Sequence, residues 1–218
     1  MTTLNLNQNN FTVKRNGRDH IMLLIITIVL IVFAASVPFW GQSSWMREFV
    51  EIACYLIFAM MWNLLAGYGG MVSIGQQAFF GFGAYTMLIL GNFWGINPFV
   101  SIIIGAFATA LIAFPVSKVA FRLQGGYFAI GTWVIAEVFR LSFANISAVG
   151  GGSGTTLTAL RGISRFTRES VTYWMALTCV VASIALVYLF LRSKHGLALL
   201  AIRDNEKAAQ SQGINVSK

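Results

Sequence analysis

Glu137 and Arg140 fall in the otherwise apolar stretch GTWVIAEVFRLSF and are the charges set well inside an apolar run. Their i,i+3 spacing puts both on one face of a helix, close enough for an ion pair. Such a pair has two readings. One is structural: the pair lies near an interface with water, which the long arginine side chain reaches. The other is a site for a substrate or a proton, because ionisable groups in a low dielectric are costly and commonly functional. A second polar group comprises Ser73, Gln76 and Gln77 in SIGQQAFFGFGAY, with Gly81 and Gly83 following. An amide facing hydrocarbon is costly, so these side chains either line a polar path or sit at headgroup level. The glycines either line that path or serve helix packing alone.

Other chemistry is sparse. The sequence holds no HExxH, no GxSxG and no paired carboxylates at catalytic spacing, and neither His20 nor His195 has a partner nearby in sequence. No catalytic residue, metal set or cofactor is therefore assigned. GGGSGTT, Gly150 to Thr156, superficially resembles a phosphate-cradling loop but lacks the following lysine and the preceding strand. It reads as a flexible external loop. Cys54 and Cys179 lie far apart inside apolar runs, without a CxxC, and read as inert.

The elements that must position these residues are set by composition. Of 218 residues, 57% are hydrophobic and 10% charged, against about 25% charged in soluble domains. The net charge of +8 would suggest nucleic acid in a soluble protein. Here the basic residues lie between apolar runs, as the positive-inside rule expects, and no nucleic-acid partner is implied. A bilayer needs about 20 apolar residues per helical crossing. On that ruler the chain is an all-α polytopic transmembrane bundle of about six spans: Ile21–Phe39, Phe49–Ala66, Met71–Leu90, Pro98–Val116, Tyr127–Phe143 and Val171–Leu191. The organisation expected is a polar cytoplasmic tail over 1–20, a membrane domain over 21–191 and a cytoplasmic segment over 192–218. An inside N-terminus puts Lys14, Arg15, Arg18, Lys118, Arg122, Arg192, Lys194, Arg203, Lys207 and Lys218 on the cytoplasmic side. Arg47, Arg161, Arg165 and Arg168 then lie outside.

The terminal stretch RSKHGLALLAIRDNEKAAQSQGINVSK predicts two short helices. GLALLAIR forms the first. Asp204 or Asn205 caps the second, Glu206 stands in its first turn, Ala208 and Ala209 favour helix, and Gly213 suits the position after its end. Composition leaves it open whether this is a solvated loop helix or one that docks in a partner's groove.

The segment Arg203–Lys218 is similar to the cytoplasmic EAA-type loop of ABC importer permeases, with Glu206, Ala208, Ala209 and Gly213 at the expected places. NLLAGYGGMVSIGQQAFFGFGAY, GGYFAIGTWVIAEVFRL and the GGGSG loop resemble, in the same order, the permease subunits of branched-chain amino-acid importers. The resemblance implies one half of a membrane-spanning pair in a bacterial inner membrane. A second permease subunit, cytoplasmic ATPase subunits, an external substrate-binding protein and membrane lipids would be its partners. It further implies ATPase coupling through Arg203, Asp204, Glu206, Ala208, Ala209 and Gly213, and a path past Ser73–Tyr85. ATP hydrolysis would belong to the partners. Permeases of this type continue past the coupling loop, so the chain is expected to be incomplete after Lys218. The alternatives are a secondary transporter or channel not driven by ATP, with Glu137 as its coupling residue, and a non-transporting membrane scaffold.

Overall fold

The computed structural model describes residues 17–211 and residue 213, so most of the expected N-terminal tail and residues 214–218 lie outside the described residues. Every regular element among the described residues is helical. Away from water a chain must satisfy its own backbone polar groups, and a helix does so within one segment. The chain divides into two compact units, residues 1–41 and 42–218. The first holds α1 (Gly17–Trp40). Near its end Ser36 donates to Phe33 O and accepts from Trp40 Nε1 at 3.1 Å.

The second unit holds α2 (Ser43–Asn63), α3 (Gln76–Asn92), α4 (Pro98–Ala120), α5 (Gly126–Ala144), α6 (Arg165–Arg192), α7 (Lys194–Asp204) and α8 (Glu206–Ser211). Among the described residues four stretches are long and apolar enough to cross a bilayer: Ser43–Tyr68, Pro98–Ala120, Gly126–Ala144 and Arg165–Arg192. Of the six expected spans, the described apolar part of α1, Ile25–Trp40, is shorter than these, and α3 has 17 residues. The third expected span differs most. Hydropathy starts it at Met71, yet the helix starts at Gln76 and residues 71–75 are not helical.

Two helix pairs carry most of the packing. In α2 and α6, Met46, Ala53, Tyr173 and Val180 are buried, and the Phe49 and Tyr173 rings lie 4.6 Å apart. Helices α3 and α4 meet through small residues. A Cβ on Gly105 would lie 3.1 Å from Gly83 O, and one on Gly83 would lie 3.2 Å from Thr109 Oγ1. In lipid, where apolar burial drives association weakly, such close backbone approach supplies the van der Waals contact. Helices α3 and α5 join through aromatic rings: Phe82 meets Phe139 and Phe143 at 6.0 and 5.9 Å, and Tyr85 stacks on Phe143 at 4.5 Å. Outward, large apolar side chains stay exposed, Phe107 at 74% and Leu111 at 75%, the surface of a chain solvated by lipid.

Candidate functional site

After α2 the backbone widens into a π-helical turn over Leu64–Tyr68 and then leaves the helix. The amides of Gly69 and Met71 both donate to Leu65 O at 3.1 Å. Gly70, with φ +70°, makes the reversal in a conformation that glycine adopts without strain. The non-helical segment that follows has polar groups that hydrocarbon would leave unsatisfied, and side chains of other helices satisfy them. Trp62 Nε1 donates to Ser73 O at 2.9 Å, and the Ile74 amide donates to Thr132 Oγ1 at 3.1 Å. The Thr132 hydroxyl in turn donates to Ala129 O at 2.9 Å. At Gly75 the segment presses on α5 so closely that a Cβ would stand 2.2 Å from Thr132 O. Thr132 lies about 9 Å along α5 from Gly126 at 1.5 Å per residue, so the break sits within the depth of a span. Irregular backbone at such depth occurs where protein buries it or where it lines a cavity.

The first condition is met at the centre of the break, and a cavity lies next to it. Ser73 is buried, and above the break a cavity of about 370 Å³ opens between α3 and α5. Gln77, Gly81 and Tyr85 line it from α3, with Trp133, Glu137 and Arg140 from α5. A Cβ on Gly81 would meet nothing within 4 Å. Arg140 Nε donates to Glu137 Oε2 at 2.9 Å, and Nη2 donates to Oε1. The pair is thus a two-point fork, with side chains 64% and 44% exposed.

Of the last two helices, α7 reaches the turn that precedes the break. Ser193 caps α7, its Oγ accepting from the Gly196 amide. Asn205 caps α8, its Oδ1 accepting from the Ala208 amide at 3.1 Å. Ala209 is buried, and Gly213 follows at φ +84°. Arg203, near the end of α7, bonds Asp204 Oδ1 through Nε and Nη2, and donates from Nη1 to Gly67 O at 2.9 Å. Its stem fills the space beside Gly70, where a Cβ would lie 2.9 Å from Arg203 Cγ.

At the opposite end, Arg47, Arg165, Arg168 and Glu169 line a second cavity of about 400 Å³ between α2 and α6. Arg165 Nε donates to Glu169 Oε1 at 3.0 Å, and Arg47 Nε lies 3.8 Å from the same oxygen. The neighbouring α5–α6 loop is tied to α3: Asn92 Oδ1 accepts from Thr158 N at 2.8 Å, and its Nδ2 donates to Thr156 O at 3.0 Å.

A sequence profile of the family described as branched-chain amino acid transport system, permease component, matches residues 45–218. The chain belongs to this family. It is 25% identical over 221 residues to the high-affinity branched-chain amino acid transport system permease protein LivM of Salmonella typhimurium, covering 89% of this chain and 52% of that protein. To LivM of Escherichia coli it is 26% identical over 218 residues, 88% of this chain and 51% of the relative. The nucleoside ABC transporter permease protein NupC of Lactococcus lactis is 24% identical over 180 residues, covering 74% and 56%. The chain therefore spans about half the length of these relatives. No solved structure matches it.

Within this member of the permease family the expected path residues fall into separate places. Gln77, Gly81 and Glu137 meet at the α3–α5 cavity. Ser73 belongs to the broken segment, Gln76 opens α3 beside it, and Gly83 faces α4. Among the described residues, Arg203 is the expected coupling residue that bonds to the turn before the break, while Glu206 opens α8. Trp62, Thr132 and the Glu169 cluster were not singled out from sequence. An indole and a hydroxyl inside apolar runs were the available signal for the first two. A lone glutamate among three arginines was the signal for the third.

Proposed function

We propose that this chain is part of the permease subunit of an ATP-driven importer, carrying branched-chain or other hydrophobic amino acids across a bacterial inner membrane. Family membership and the two LivM relatives support the cargo and the membrane role. The observation that carries the mechanism is the hydrogen bond from Arg203 to Gly67 O, which joins the terminal helices to the discontinuous segment. α7 and α8 dock on a cytoplasmic ATPase subunit. When two ATPases close on ATP, their movement passes through Arg203 to the Gly67–Gly75 segment and from there to α3 and α5. ATP drives the change only if the ATPases bind the two conformations with different free energy. A second permease subunit completes the bundle, and an external binding protein delivers the substrate. The side carrying Arg203, Arg192, Lys118 and Arg122 is cytoplasmic, by the positive-inside rule.

The test is reconstitution of the full-length subunit with its partner subunits and binding protein in liposomes. Labelled leucine should enter only with ATP. Glu206→Lys and Gly213→Pro, which reverse a charge in α8 and forbid the positive φ after it, should abolish co-purification of the ATPase while membrane insertion persists. Unchanged recovery of the ATPase removes the coupling role of α8. Uptake that survives without ATP and collapses with the proton gradient would make the chain a secondary transporter. The nucleoside permease relative supports nucleosides as the second cargo, so uridine belongs in the same uptake panel.

A further inference from the structure

We infer that Glu137 and Arg140 form the polar half of a binding site for a zwitterionic α-amino acid with an apolar side chain, in the cavity between α3 and α5. The inference rests on the importer reading and names the place where that importer would hold its cargo. The chemistry starts from the pair's capacity. A carboxylate offers about four lone-pair positions and a guanidinium five N–H donors. The fork uses two of each, and Nη1 of Arg140 has no acceptor among the described residues. Glu137 therefore retains acceptor positions for an ammonium group, and Arg140 retains donors for a carboxylate.

Charge balance then selects the ligand. The pair is neutral as a unit and lies on a helix apolar enough to span a membrane. A lone cation or anion added to it would leave one uncompensated charge in a low dielectric, which is costly. A zwitterion adds one charge of each sign and closes a ring of alternating charges. The apolar half is also present. Tyr85, Trp133, Phe82 and Phe143 line the same cavity, and the stacked Tyr85 and Phe143 rings form a wall that an aliphatic side chain would cover. The volume of about 370 Å³ falls within the ~300–1,000 Å³ of small-molecule sites, and Gly81 leaves the α3 wall without a side chain. A purely structural ion pair explains the fork but not its placement beside an open, aromatic-lined cavity.

The experiment uses the complete importer in liposomes. Glu137→Gln and Arg140→Gln should each lower leucine uptake about tenfold to a hundredfold, the loss of one hydrogen bond to a charged group. Membrane insertion and co-purification with the partner subunits should persist. The exchange Glu137→Arg with Arg140→Glu restores an ion pair on the same face, so a structural role predicts recovery of uptake and the site predicts none. A second measurement avoids altering the pair. Gly81→Cys, in a background with Cys54 and Cys179 changed to alanine, should react with a membrane-permeant maleimide. Leucine should slow that reaction, while leucinamide, lacking the carboxylate, and isocaproic acid, lacking the ammonium, should not. Recovery of uptake in the exchanged variant, or equal protection by all three compounds, overturns the site while leaving the importer intact. If the unaltered complex carries no amino acid at all, the importer reading falls and the site with it.

Discussion

At Gly75 two segments approach too closely for any side chain. A methyl group there would stand 2.2 Å from the carbonyl oxygen of Thr132, and that atom belongs to the backbone of a packed helix and cannot swing away. Gly75→Ala should therefore destabilise the folded chain by about 1–3 kcal/mol, the usual penalty of overpacking. Gly81→Ala, which meets open space, should change stability by less than about 0.5 kcal/mol. Thermal unfolding of the detergent-purified subunit measures both, and equal midpoints for the two variants would show that the segment is not pressed on α5. Thr132→Val is the complementary change. It keeps the volume but removes the acceptor of the part-buried Ile74 amide, and a donor left unsatisfied away from water costs about 1–3 kcal/mol. Thr132→Ser, which retains the hydroxyl, should recover most of that loss.

Among the elements, the connection that matters joins α7 to the break after α2. Arg203 is the joint, and Arg203→Ala should leave assembly and ATP hydrolysis in place while lowering the amount of leucine carried per ATP. Measuring uptake and phosphate release on the same liposomes gives that ratio, and an unchanged ratio would assign the bond a purely structural role. Most of the helices were legible from hydropathy and length: α4 begins at Pro98 as expected, and α5 and the end of α6 lie within one residue of the predicted bounds. The break before α3 was not legible. Its glycines suggested it, but hydropathy sees Met71, Val72 and Ile74 as good span residues. What makes the break tolerable is a hydroxyl 58 residues further on and an indole 11 residues before. The joint is more distant still, Arg203 and Gly67 being 136 residues apart. The caps of α7 and α8 were half legible, because a capping side chain acts within three residues of itself. Asn205 was one of two expected caps, whereas Ser193 was not singled out.

At the scale of the whole molecule, the arginine-lined cavity between α2 and α6 would, in the proposed importer, give the outer end a specific task. Three guanidinium groups surround one carboxylate there. Glu169 is held by Arg165 and approached by Arg47, while the Arg168 guanidinium meets no acceptor among the described residues. The family resemblance makes the loop around Gly150–Arg168 a candidate surface for the binding protein, but nothing in the spacing of these arginines reveals that α2 brings Arg47 to α6. The excess positive charge suits acidic side chains on the binding protein. Charge complementarity of this kind chiefly raises the rate of encounter and is screened by salt, with a Debye length of about 8 Å at physiological ionic strength. Arg168→Glu should weaken the binding protein's stimulation of ATP hydrolysis and flatten its dependence on ionic strength, without changing hydrolysis in the binding protein's absence. Arg168→Lys, which keeps the charge, should preserve most of the stimulation. A salt dependence identical in all three proteins would move the docking surface away from this cavity.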